Sequence, residues 1–113
     1  MTSKHDSLIQ QYLGDNNLEH TVARMILIAM GEDIVEELID TYYAGISVEN
    51  GLLILKMLAK IGGYESLNVL RDVFTYEAES PILKRTAALG LMDNAQNLSP
   101  DEYEQLSDYL SNT

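Results

Sequence analysis

Apolar residues recur along this chain at the spacing of helices. Ile34, Val35, Leu38, Ile39, Tyr42 and Tyr43 follow one another at steps of one, three and one. That is one face of a helix, predicted over about 32–44. Leu67, Leu70, Val73 and Phe74 repeat the pattern in a helix over about 64–76, and Tyr103, Leu106 and Leu110 repeat it in a helix starting near Pro100. Three further segments precede these, over about 18–30, 48–61 and 81–92. Two of them, "MILIAM" and "LLILKMLAKI", are apolar almost all round. A helix of that kind is expected to be buried on more than one side. Leu8, Ile9, Tyr12 and Leu13 predict a short extra helix over about 4–13.

The predicted helix starts carry chemical markers. Ser80-Pro81 and Ser99-Pro100 each set a hydroxyl before a proline at the first helical position. Ser99 with Glu102 has the spacing of a capping box, and Ser47 with Asn50 is expected to cap the helix from Val48. Gly31 and Gly62 fall where a helix ends and the backbone needs freedom. No segment alternates convincingly as a strand.

The helices pair, and the pairs recur. Leu27, Leu58 and Leu89 lie 31 residues apart, Met30, Ile61 and Met92 keep that step, and Gly31, Gly62 and Asp93 follow directly. A fixed period of this size predicts a helical solenoid in which each first (A) helix is sandwiched between its neighbours. The units are one domain over 1–113, with repeats over about 18–44, 48–76 and 81–110. Ala87, Ala88 and Gly90 are small enough to let the third A helix approach closely.

The segments "VARMILIAMGED", "LKMLAKIGGYESLNVLRDVF" and "LKRTAALGLMDN" resemble the HEAT-like (armadillo-type) repeat family, in the short form of phycobilin-lyase-type bacterial proteins. Arg24 and Arg85 stand near the family's Arg position, and Gly31 and Gly62 at its turn. The third turn departs, with Asp93 for Gly and a longer loop. The resemblance implies an all-α fold, a right-handed α-α superhelix of about three helix pairs plus an N-terminal capping helix. It also implies A helices on the convex side and second (B) helices on the concave side. Among functions it implies a bilin-lyase-associated or phycobilisome-related, chaperone-like role.

Charge changes the picture more than composition does. The chain has 18 Asp and Glu against 7 Lys and Arg, a formal charge of -11. Such a chain repels a phosphate backbone, so no nucleic-acid partner is expected. There is no cysteine, which excludes thiol catalysis and disulfides and suits a cytoplasmic location. No signal peptide and no membrane span are expected.

The sharpest chemical candidate is "EDIVEELIDTYY", with Glu32, Asp33, Glu36, Glu37 and Asp40 and no base nearby. No His stands three residues after any Glu, so a di-metal bundle site is not expected. "DNNLEHTVARMI" fits a calcium loop only at its first ligand positions. Gly62-Gly63 precedes a helix and is open to cradling an anion, but serves better as a connector. The tyrosines at helix ends are core or rim residues, of which Tyr43 also suits a binding surface. No cofactor and no catalytic activity are expected.

Sorted by helix, the charges segregate. Arg24, Lys56, Lys60, Lys84 and Arg85 fall on A helices, while Arg71 is the one base on a B helix. Glu32, Asp33, Glu36, Glu37, Asp40, Glu65 and Asp72 fall on B helices, and Asp101, Glu102, Glu104 and Asp108 on the last of them. The expectation is a non-enzymatic interaction module or scaffold whose acidic B-helix face docks a basic protein or peptide surface. The same acidity suits a small inhibitor or immunity protein. A stack with apolar ends is also open to forming a homodimer.

Overall fold

A computed structural model describes residues 4–76 and 80–112. They form an all-α structure: α1 Asp6–Leu13, α2 Asn17–Met30, α3 Val35–Tyr43, α4 Val48–Ile61, α5 Tyr64–Thr75, α6 Pro81–Met92 and α7 Pro100–Ser111. α3 is entered through a 3-10 turn, Gly31–Ile34, and a second such turn, Ala95–Asn97, precedes α7. α2 begins inside the stretch considered as a calcium loop, so that stretch is helix and cannot wrap an ion.

Local chemistry explains the boundaries. Asn16 accepts from the Glu19 amide at the start of α2, and Ser47 from the Asn50 amide at the start of α4. Ser99 and Glu102 complete a reciprocal capping box at α7. Ser80 stands before Pro81, yet its hydroxyl makes no capping hydrogen bond; the proline alone marks the start of α6. Gly31 and Gly62 end α2 and α4 with φ of +60° and +74°, a region an L side chain rarely enters.

α4 lies at the centre. It packs against α2, α3, α5 and α6, while α6 packs against α4, α5 and α7. Gly51, Ile54, Leu55, Met57 and Leu58 of α4 are all buried. Burying each large apolar side chain contributes roughly 1.5–3 kcal/mol. α2 differs: it buries Ala23 and Leu27 and leaves Leu18, Val22, Met25 and Ile26 exposed. The expectation that every A helix is sandwiched is therefore corrected. α2 stands at an edge, with α1 packed along it and α4 beyond, and its outer stripe has no neighbour among the described residues.

The third A helix brings a second correction. Leu27 and Leu58 are fully buried, but Leu89, one period later, is 46% exposed. The inward positions of α6 are Leu83, Ala87, Ala88, Gly90 and Leu91. A Cβ on Gly90 would lie 2.8 Å from the Ala59 Cβ, so α6 and α4 meet almost backbone to backbone. That approach turns Gly90 inward and Leu89 outward. Asn94 locks the arrangement, donating to the carbonyls of Ala59 (3.1 Å) and Gly90 (2.9 Å).

Candidate functional site

The acidic residues do not form one even surface. Three of them converge: Glu32 and Asp33 from the turn into α3, and Glu65 from the first turn of α5, line one cleft of about 440 Å³. All three are exposed. Val35, Gly62, Gly63, Tyr64 and Ser66 complete the cleft. Its chemistry follows from the fold, because the acidic 3-10 turn of one helix pair sits beside the diglycine turn of the next.

Gly63, at φ +87°, is the N-cap of α5, and a Cβ there would lie 2.8 Å from Glu32 Oε1. The positive end of α5 therefore faces a carboxylate of the chain itself. This arrangement is favourable for the helix dipole. Gly62-Gly63 connects α4 to α5, as expected, and an anion at that turn would meet Glu32. Ser66 is fully buried and its hydroxyl has no hydrogen-bond partner among the described residues.

Glu37 is a correction. It was expected on the solvated acidic face, but it is half-buried and bound by His5. The His5 backbone N–H donates to Oε1 at 3.0 Å and the ring Nδ1 to Oε2 at 2.6 Å. The segment entering α1 covers this position and draws the carboxylate inward. Glu37 thus ties α1 to α3 and leaves the docking set.

Glu36, Asp40, Asp72, Asp101, Glu104 and Asp108 are exposed on their helices, and none lines the cleft. Arg71 is held by Glu102, Nε to Oε2 at 2.7 Å, and its other nitrogens reach Asn68 and the Asn97 carbonyl. The hydrogen bond from Arg71 holds the Glu102 carboxyl below its ordinary value. The one base on a B helix is thus already partnered.

Tyr43 is 56% exposed, its ring edge-on to buried Tyr42 at 5.2 Å. Tyr109 is half-buried against Phe74, with the Lys84 ammonium 5.4 Å from both ring centres. His20 is stacked on Tyr12, and its Nδ1 donates to the Tyr12 carbonyl at 2.5 Å.

Among the described residues, no cluster of three or more His, Asp and Glu is arranged to hold a metal ion, and no helix is long and apolar enough to cross a membrane. Compared with known proteins, the chain matches no family model, and neither a curated protein nor a solved structure is similar to it.

Proposed function

We propose that the protein is a non-enzymatic docking module, built as a short HEAT-like solenoid, that receives a basic segment of a partner protein on its B-helix side. The cleft of Glu32, Asp33 and Glu65 is where the partner's Lys or Arg enters. The observation that carries the proposal is that acids from two successive helix pairs line one cleft, while Arg71 is already occupied by Glu102. A cation from outside would meet three carboxylates and no competing base in that lining.

Glu36, Asp40 and Asp72 extend the negative field around the cleft. Each exposed ion pair contributes only about 0.2–1 kcal/mol, so affinity rests on several pairs and on the more enclosed position between the helices. The wider field raises the encounter rate and makes it salt-sensitive. Titrating the isotopically labelled protein with a Lys/Arg-rich peptide tests this. Amide shifts are expected over residues 32–35 and 62–66, fading as salt rises. Shifts confined to α2, or none at low salt, would overturn the proposal.

A further inference from the structure

A second cavity has a lining of the opposite sign. It is about 240 Å³ in volume and opens between α2 and α4 beneath the end of α1. Arg24, Lys56 and Lys60 line it together with His20, Tyr12 and the apolar Leu53 and Met57. Three of the chain's seven Lys and Arg therefore meet in one place, in a protein with 18 carboxylates, and no carboxylate is in the lining. None of the three forms an ion pair among the described residues, where the ion pairs are His5–Glu37 and Arg71–Glu102.

The cavity has a defined frame. The Tyr12 hydroxyl donates to the Leu53 carbonyl at 2.8 Å, fixing α1 to α4. His20 stacks on the Tyr12 ring with centroids 5.0 Å apart and spends Nδ1 on the Tyr12 carbonyl, leaving Nε2 as its remaining polar atom. Lys56 and Lys60 stand one turn apart on α4, where like charges repel. An anion between them relieves that repulsion.

We propose that this cavity binds a small soluble anion of the phosphoryl class carrying two or more charges, of the size of a diphosphate group. Three cations balance such a group. Arginine offers a planar fork to phosphoryl oxygens, and lysine a point charge. The volume is below that of ordinary drug-sized pockets, which suits a compact anion. The Tyr12 hydroxyl and His20 Nδ1 are already committed, so selection is by charge. Salt screens the attraction between the three cations and the anion, so binding weakens as salt rises.

Calorimetric titration of the full chain with inorganic pyrophosphate, at fixed ionic strength, tests the proposal. The expected result is saturable one-to-one binding, weakened at least tenfold in Lys56→Gln/Lys60→Gln and in Arg24→Gln, and unchanged in Arg85→Gln. Arg24, Lys56, Lys60 and Arg85 are all exposed, so the variants should fold, and an unchanged circular dichroism spectrum checks that. Pyrophosphate should also raise the melting temperature of the parent chain and not that of the double variant. No saturation at millimolar pyrophosphate, or equal binding by Lys56→Gln/Lys60→Gln, would overturn the assignment. So would a concentration-dependent dimer dissolved by pyrophosphate, which would make an acidic surface of a second copy the occupant.

Discussion

The basic cavity is lined by α4 and the acidic cleft by the diglycine turn that ends it, and the two differ in how their charges are held. In the cleft, Glu32 lies against the N-terminus of α5, so a helix dipole supports one carboxylate while Asp33 and Glu65 stay exposed. In the cavity, Arg24, Lys56 and Lys60 form no ion pair among the described residues, and the order lies in the Tyr12–His20 frame. The cleft is the larger, about 440 Å³ against 240 Å³. The contrast shows how one all-α chain can gather opposite charge in two separate places while its net charge stays strongly negative.

The largest expected effect comes from removing what the two sites share. Leu58 is fully buried in α4, between Lys56 and Lys60 and one turn before the diglycine of the cleft. Leu58→Ala should destabilise the fold by about 2–5 kcal/mol in denaturant titration and weaken both sites together. Met25→Ser on the open edge of α2, where Met25 is 64% exposed, should stay within about 0.5 kcal/mol. Similar losses at the two positions would remove the distinction between a central α4 and an edge α2.

An intermediate effect should touch the basic side alone. Burial pushes the Tyr12 phenol up to about 12 from an ordinary 10.0, against the smaller opposing pull of Arg24. The folded state therefore favours the neutral phenol. That contribution is fully present below pH 10 and is lost as pH rises from 10.0 toward 12. The loss should be on the order of 2 kcal/mol. Tyr12→Phe lacks this component of alkaline destabilisation, while giving up about 1 kcal/mol at neutral pH with the hydrogen bond to Leu53. Parallel stability curves for the two proteins above pH 10 would contradict the assignment.

The smallest effect should touch the acidic side alone. Ser66 is buried at the cleft with an unpartnered hydroxyl. Ser66→Ala removes that desolvated group and should raise stability by roughly 1 kcal/mol in a melting experiment. A clear loss of stability would mean that the hydroxyl has a partner.

The sequence was most informative where local chemistry decides the structure. α4 runs Val48–Ile61 and α6 Pro81–Met92, as the apolar pattern and the cap residues predict. Gly31 and Gly62 adopt the positive φ expected of helix ends. Ala87, Ala88 and Gly90 are the close-approach residues.

What was not legible depends on long-range packing. The 31-residue period gave no sign that Leu89 turns outward, because Gly90 meets Ala59 only after the helices dock. His5 and Glu37 are 32 residues apart, and nothing local to either marks the pair. Asn94 bonds to Ala59, 35 residues away, and only its place after the Met92–Asp93 helix end hinted at a cap. The sorting of acids and bases onto different helices was plain in the chain. That Arg24, Lys56 and Lys60 share one cavity required the positions of three helices.

The central claim is best tested by the affinity for a Lys/Arg-rich peptide, measured by fluorescence anisotropy at low salt for three proteins. These are the parent chain, Glu32→Lys/Asp33→Lys/Glu65→Lys, and Lys56→Gln/Lys60→Gln. The account predicts that the parent binds, that the triple reversal abolishes binding, and that the double lysine variant binds at least as well as the parent. Undiminished binding by the folded triple reversal would contradict it.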